Sequence, residues 1–207
     1  MALSSTSEIP LHRSVLEFWF GRVPAPDLPA DEIKSRWFSS NAEFDARIRR
    51  QFGALVTQAI DGGLADWEHL PRGRLALVLL LDQFTRNLFR GSERAFAGDP
   101  RALSLADEAV ATGADRALTL CERSFLYLPF EHAEDRHCQV QSLRCFRSLV
   151  DEAAPECREH YAGCLEFAER HKVVIDRFGR FPHRNAVLGR ASTVEEQHHL
   201  ADTPAGF

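Results

Sequence analysis

The sequence has only two lysines, few β-branched residues and no long apolar run. The longest uninterrupted apolar stretch, Leu75 to Leu81, covers seven residues, whereas a bilayer crossing needs roughly 20. The N-terminal segment also lacks the apolar region of a secretory signal. We therefore expect no membrane partner and a cytoplasmic protein. The 207 residues are predicted to form one domain, residues 1–207, with an ordered core from about residue 10 to 201.

Several familiar chemical motifs are absent as well. The chain contains no GxGxxG, P-loop, HExxH or GxSxG sequence, which excludes the corresponding nucleotide-binding folds, zincins and α/β-hydrolases. The five cysteines (Cys121, Cys138, Cys145, Cys157 and Cys164) are odd in number and form no CxxC pair. We interpret them as small buried side chains in a reducing compartment. No cofactor is predicted.

The charge is unevenly distributed. The formal net charge of −5 disfavours nucleic acid as a partner. However, residues 71–101 hold six arginines against three acids, and residues 171–190 hold four arginines and one lysine against one aspartate. Arginine makes bidentate pairs with carboxylate and phosphate groups. The two basic segments are therefore candidates for contact with a small anion.

The composition and periodicity predict an all-α fold. Alanine and leucine together number 50, against 16 for valine and isoleucine, and apolar residues recur at steps of three and four. Eight or nine helices joined by short loops follow, and no strand is predicted. Pro129 is expected to break or kink a helix after Leu128. The next helix is expected to run from about residue 130 to 153, with Val140, Leu143, Phe146 and Val150 facing inward. Bundle and αα-superhelix both remain open, because no clean repeat is present.

Capping signals predict where four of the helices begin. They are Ser40 with Glu43, Asp99 with Pro100, Thr119 with Glu122, and Ser192 with Glu195.

Three polar blocks interrupt structured apolar stretches: DQFTRNLFRG at 82–91, FLYLPFEHAED at 125–135 and RFGRFPHRNAVLGR at 177–190. Together with LEFWFG at 16–21 and the continuation of the third block, ASTVEE at 191–196, they resemble the blocks of the bacterial domain of unknown function 924 family, over about residues 14–200. The resemblance implies an all-α, tetratricopeptide-like αα-superhelical fold. It implies no reaction and carries over no catalytic residue.

The chemistry of these blocks predicts a pocket for a small anionic metabolite. The predicted ligand-binding residues are Asp82, Arg86, Asn87, Arg90, Asp135, Arg180, Arg184 and Asn185. His132 or His183 is the candidate general base, and Glu131 adds further acid–base capacity. Whether a reaction is catalysed stays open at this point. Two other interpretations also stay open: an ion-pair lattice that only joins helices, and a tetratricopeptide-like module without enzymatic activity that binds a protein partner.

A metal site is not predicted from the sequence. Glu131, His132, Asp135, His137 and His183 are suitable ligand types, but none of them follows a recognised ligand spacing. His132 and His137 are five residues apart, which does not place both on one helix face. A pair of histidine ligands would need His183 from another segment.

Overall fold

The computed structural model describes residues 10–21, 27–37 and 41–203, and within them the fold is all-α without a strand, as predicted. The helices are α1 (Leu11–Phe20), α2 (Asp31–Trp37), α3 (Ala42–Ile60), α4 (Pro71–Val78), α5 (Thr85–Leu88), α6 (Asp99–Thr112), α7 (Leu120–His132), α8 (Arg136–Glu152), α9 (Pro155–Phe178) and α10 (Val194–Asp202). A π-helical segment, Leu79–Phe84, joins α4 to α5. Helix α4, the π-helical segment and α5 form one continuous helical rod, which we call the central rod. When the rod is counted once, the described ranges contain nine helices. None of them combines the length and apolarity that a bilayer crossing requires.

The central rod lies in the core because it is apolar on all sides. Every residue from Leu75 to Leu81 is fully buried, and α1, α3, α6 and α7 pack around the rod. The N-terminal aromatic side chains fill the space beside it. Trp19 lies 5.4 Å from Phe84 and 5.6 Å from Phe125, measured between ring centroids. Burial of such large rings supplies much of the apolar stabilisation of a domain of this size.

The π-helical segment buries polar side chains within this apolar rod. Asp82 is fully buried and Gln83 nearly so, and segments of this kind are frequent at functional sites. Gly98, just before α6, lies directly against the segment, and a Cβ at this position would overlap the carbonyl oxygen of Leu81. The absence of a side chain therefore allows α6 to begin close to the rod, which brings Asp99 to Arg86.

Of the two expectations for Pro129, the helix break was wrong. Helix α7 continues through Pro129 to His132. A proline inside a helix costs about 3 kcal/mol, but every residue from Cys121 to Glu131 is buried, and this tertiary burial outweighs the local cost. Because only one turn follows the proline, the lost backbone hydrogen bond affects only the helix end.

The predicted start of the following helix was also wrong, and its inward face was wrong at Val140, whereas Phe146 is buried as predicted. Helix α8 begins at Arg136, with Asp135 as its N-cap, and Val140 is exposed. Gln139 is buried instead, and its Nε2 donates to the carbonyl oxygens of Phe130 (3.3 Å), Glu131 (2.7 Å) and Ala133 (2.9 Å). The last carbonyls of a helix have no N–H partner within that helix, and Gln139 supplies a donor where α7 ends. A polar side chain thus takes an inward position that the hydrophobic pattern assigned to a valine.

One of the four predicted caps is confirmed as a complete capping box, namely Thr119 with Glu122. The last helix has its capping box one residue later than predicted, at Thr193 with Glu196. Helix α6 begins at Asp99 rather than being capped by it, because the Asp99 carboxylate is bonded to Arg86. Helix α3 is capped by the side chain of Asn41, and Ser40 lies outside the described residues.

Candidate functional site

A cavity of about 700 Å³ opens between the end of the central rod and helices α7 and α9. Its walls divide into an apolar side, an arginine side and a buried polar end. The apolar side is formed by Trp37, Phe125, Leu128, Phe146 and Phe167. The arginine side consists of Arg86, Asn87 and Arg90, and the polar end of Gln83, Glu131, His132 and His171. The first two polar blocks of the sequence therefore meet here, whereas the predicted pocket also included the third block, which does not line this cavity.

The polar end begins with a buried carboxylate–histidine pair. Nδ1 of His132 lies 2.7 Å from Oδ1 of Asp82, and Gln83 Nε2 donates to Oδ2 of Asp82 at 2.5 Å. Arg86 lies 3.2 Å from the same carboxylate. Burial alone raises a carboxyl pKa, but here the charges of Arg86 and His132 and the bond from Gln83 outweigh it and lower the pKa of Asp82 below its usual range. Asp82 is therefore ionised.

A second acid–histidine pair lies beside the first. Nδ1 of His171 is 3.3 Å from Oε1 of Glu131 and 2.8 Å from the carbonyl oxygen of Phe167. Burial and the nearby Asp82 charge raise the pKa of Glu131 to about 8. Burial and the neighbouring His132 lower the pKa of His171 to about 3. The two acids therefore differ in protonation at neutral pH, a pattern typical of reactive sites.

We call Asp82, Glu131, His132 and His171 the acid–histidine cluster. In both histidines Nδ1 faces an oxygen that only accepts: the ionised Asp82 carboxylate for His132 and the Phe167 carbonyl for His171. Nδ1 must then carry the hydrogen in each neutral ring, and Nε2 carries the lone pair. A nitrogen in this state can accept a proton or coordinate a metal ion.

The arginine and asparagine side chains of the cavity wall are already hydrogen-bonded to carboxylates. Arg86 donates to both oxygens of Asp99, at 2.9 and 3.1 Å. Arg90 Nε donates to Asp45 at 2.9 Å, and Asn87 Nδ2 donates to the same carboxylate at 2.7 Å. The structure thus brings Arg86, Asn87 and Arg90 to the cavity wall, each with an acidic partner.

Part of the third polar block forms a separate ion-pair network at the C-terminal end. Arg180 donates to both oxygens of Glu196, at 2.6 and 2.8 Å, and Asn185 Nδ2 lies 3.2 Å from the same carboxylate. Arg190 donates to both oxygens of Glu134, at 2.5 and 2.9 Å. We call Glu134, Arg180, Asn185, Arg190 and Glu196 the C-terminal lattice. None of them lines the cavity.

The remaining predicted site residues also lie outside the cavity lining. Arg184 is buried, lies 3.7 Å from Asp99, and packs over the rings of Phe96 and Phe181. Burial and the charge of Arg86 lower the pKa of Arg184 to about 10. The ring of His183 is 5.6 Å from that of Phe181, and burial and Arg184 lower its pKa to about 4. Asp135 caps α8.

Sequence reasoning missed His171. The available signal was its position in α9, where it falls on the inward stripe with Ala168 and Ile175. A histidine on an apolar stripe is weak evidence until its neighbours are known. Those neighbours, Glu131 and His132, come from a helix that ends about forty residues earlier in the chain.

The five cysteines are free thiols; Cys121, Cys145 and Cys157 are buried as interpreted, whereas Cys138 and Cys164 are only partly buried. Cys164 lines the cavity. Burial and the nearby Glu131 raise its pKa to about 12, so the group is a thiol rather than a reactive thiolate.

Comparison with known proteins connects this geometry to a family without assigning a reaction. The family model described as bacterial protein of unknown function (DUF924) matches residues 15–204. A solved structure of a protein of unknown function from Agrobacterium tumefaciens is 36% identical, with a TM-score of 0.78, and the match covers 93% of this chain and 97% of that chain. No curated protein matches. The shared fold extends over nearly the whole length of both chains.

Proposed function

The chain belongs to the bacterial DUF924 family, and we propose that its cavity binds a small organic molecule with an apolar body and a polar end. The acid–histidine cluster is the reactive end of this site. The observation that carries the proposal is the position of Glu131, His132 and His171 on the wall of a cavity that is otherwise largely apolar. A few convergent polar groups in an apolar pocket are typical of ligand and active sites.

The apolar part of the cavity supports the body of such a ligand. Its volume of about 700 Å³ falls within the range of roughly 300–1,000 Å³ for small-molecule sites. Phe125 and Phe146 are almost fully buried, whereas Phe167 is exposed at 51%. A ligand covering Phe167 would therefore remove apolar surface from water, which is favourable by about 25 cal/mol per Å².

The cluster supports reactivity at the polar end of the ligand. His132 is oriented by Asp82, as a general base is oriented by a carboxylate in hydrolytic sites. Glu131 lies next to it in the chain, and both groups line the cavity. The cluster therefore combines lone pairs on histidine nitrogens with a buried carboxyl group, within reach of one bound molecule.

Charge contributes less to this site than the sequence predicted. Arg86 and Arg90 already have Asp99 and Asp45 as partners, so an anion would have to share them. Affinity in our proposal comes mainly from the apolar body and from hydrogen bonds at the cluster.

Benzamide is the probe that tests cavity binding. A compound of this size is expected to bind with a Kd of about 1 mM, the affinity that about −4 kcal/mol gives. Gly163 lines the cavity, and a Cβ at this position meets nothing within 4 Å. Gly163→Phe should fill the cavity and weaken binding at least tenfold in ligand-observed NMR. The matched control is Ala162→Phe, because Ala162 is the exposed neighbour on α9 and does not line the cavity.

Equal benzamide binding by the parent and Gly163→Phe, or no binding by the parent, would contradict the proposed site. Benzoate then tests the role of charge. With the protein treated with EDTA, we expect benzoate and benzamide to bind within about threefold of each other, since the wall arginines are already paired. A benzoate affinity tenfold higher would support the anion pocket instead.

A role as a tetratricopeptide-like interaction module has less support. The exposed large apolar side chains in the described ranges are Leu11, Leu70, Val140, Phe167, Val173 and Val194. They are distributed over α1, α8, α9, α10 and the segment before α4, whereas a docking groove needs a contiguous patch.

A further inference from the structure

Three groups of the kind that bind metal ions converge at the polar end of the cavity. Glu131 and His132 come from the end of α7, and His171 comes from α9. Each offers one ligand-type atom, and these atoms all lie within 4.8 Å of one another. Zinc and similar ions bind nitrogen and oxygen at about 2.0–2.2 Å, so neighbouring ligands lie roughly 3–3.5 Å apart. Small side-chain rotations would close the difference.

The two histidines have the supporting contacts that metal-binding histidines require. Nδ1 of His132 lies 2.7 Å from a carboxylate oxygen of Asp82. Nδ1 of His171 lies 2.8 Å from the carbonyl oxygen of Phe167. Metal-binding histidines usually donate one ring N–H to a carboxylate or carbonyl, and the contact orients the ring so that the other nitrogen meets the ion. These contacts favour the tautomer in which Nε2 of each ring is the nitrogen available to an ion.

The position of the cluster suits an ion that also meets a ligand. Glu131, His132 and His171 all line the cavity, so an ion bound to them would have its remaining coordination positions on the cavity side. Reactive metal sites characteristically combine three protein ligands with at least one open position. Phe125, Leu128 and Phe146 form an apolar wall in the same cavity.

The charges around the cluster favour a cation. Asp82 and Glu131 are both at least 95% buried, with exposures of 0% and 5%. The guanidinium nearest to Asp82 belongs to Arg86, which is shared with Asp99. A divalent ion at the cluster would therefore lie beside the ionised Asp82 carboxylate and add positive charge next to it.

We propose that Glu131, His132 and His171 bind one divalent transition-metal ion at the polar end of the cavity, with Asp82 as a positioning residue. Two imidazoles and one carboxylate suit Fe²⁺, Co²⁺, Zn²⁺ or Mn²⁺ better than Mg²⁺ or Ca²⁺, which prefer oxygen ligands. The inference rests on the proposed small-molecule site, because the ion supplies the group that holds the polar end of the ligand. It departs from the sequence interpretation, which found no ligand spacing.

Cobalt(II) is the probe for this site, because its visible spectrum reports the ligand set. The full chain is treated with EDTA, dialysed and titrated with CoCl₂. We expect one Co²⁺ per chain, visible d–d bands, and no near-ultraviolet charge-transfer band of the kind that cysteine ligands give. Excess Mg²⁺ should not displace it.

Substitutions assign the ion to the cluster. Glu131→Gln and His132→Gln keep the side-chain size and are each expected to weaken Co²⁺ binding at least 100-fold, since even an indirect contact accounts for 10–100-fold. Asp82→Asn should weaken it by about 10–100-fold through the orientation of His132. His160→Gln is the matched control, because His160 lines the same cavity and is not part of the cluster. Circular dichroism is the check that each variant is folded.

Three results would overturn the metal proposal. They are an absence of stoichiometric Co²⁺ binding, parent-like binding by folded Glu131→Gln and His132→Gln, and an equal loss in His160→Gln. The small-molecule site is tested separately, by benzamide binding to the EDTA-treated protein. Loading with Co²⁺ should increase the affinity for benzoate at least tenfold and change the affinity for benzamide by less than threefold. If the Co²⁺-loaded protein binds benzoate and benzamide with equal affinity, an ion with an open coordination position is contradicted.

Discussion

The acid–histidine cluster and the C-terminal lattice are built from similar residues but differ in how their charges are matched. In the lattice, each guanidinium meets a carboxylate through two bonds, as Arg190 does with Glu134 and Arg180 does with Glu196. In the cluster, Glu131 lies beside His171 rather than beside a guanidinium. The charged groups of the lattice are paired with one another, whereas the cluster faces a cavity.

This difference shows that the composition of a polar sequence block is not enough to identify a functional site. The blocks at 82–91 and 177–190 are both rich in arginine, yet only the first lines the cavity. In the lattice, hydrogen bonds are used to fix the C-terminal helix. In the cluster, the polar atoms stand at the edge of an apolar space, where low polarity strengthens electrostatic interactions.

The largest expected effect is a loss of stability when the lattice is opened. Arg190 bonds to Glu134, to Asn185 and to the carbonyl of Phe181. Arg190→Ala should lower the free energy of unfolding by about 3 kcal/mol, because several partners lose their donor. Urea denaturation measures this change. Benzamide binding should remain, which distinguishes the lattice from the cavity.

A matched control for this prediction is Arg177→Ala. Arg177 pairs with Glu195 at the surface, and such a pair contributes about 0.5 kcal/mol. Equal losses in the two variants would mean that the lattice is no stronger than an ordinary surface pair.

A smaller effect is expected from acid. The bonds from Arg180 and from the N–H of Thr193 lower the pKa of Glu196 to about 2, below its ordinary value of 4.5. Because the folded-state pKa is lowered, its stabilisation is present above pH 4.5 and is lost as the pH falls towards 2. The stability difference between the parent and Glu196→Gln should therefore shrink by about 2 kcal/mol between pH 5 and pH 2.5.

Thermal unfolding across this pH range measures the change, with Glu195→Gln as the control. Glu195 is the exposed neighbour in the same helix. A pH dependence that is the same for both variants would show that Glu196 is not the titrating group of the lattice.

The smallest expected effect concerns the cavity thiol, for which we predict almost no reaction. Since burial and Glu131 raise the pKa of Cys164 to about 12, its thiolate fraction at neutral pH is very small. Iodoacetamide should label Cys164 at least 100-fold more slowly in the folded protein than in urea, as measured by peptide mass spectrometry. If Cys164 is labelled as fast in the folded protein as in urea, the reactive group of the cavity is this thiol rather than the cluster.

Much of the fold could be predicted from local signals. Gly179 ends α9 in a left-handed conformation, and Thr119 with Glu122 starts α7, because such signals act within a few residues. The errors arose where a distant contact overrode a local rule. Pro129 remains helical because all sides of α7 are buried, and Gln139 faces inward because the end of α7 needs hydrogen-bond donors.

The sequence by itself determined the all-α class, most helix boundaries and the polar blocks at 82–91 and 125–135, because these depend on composition, periodicity and short-range hydrogen bonds. Only the tertiary structure decided which charges were matched and which groups met. Asp99 and Asp45 occupy the arginines of the first block, and His171 joins Glu131 and His132 from another helix. The physical reason is that pairing energy depends on distances across the fold, and the spacing of residues along the chain does not contain those distances.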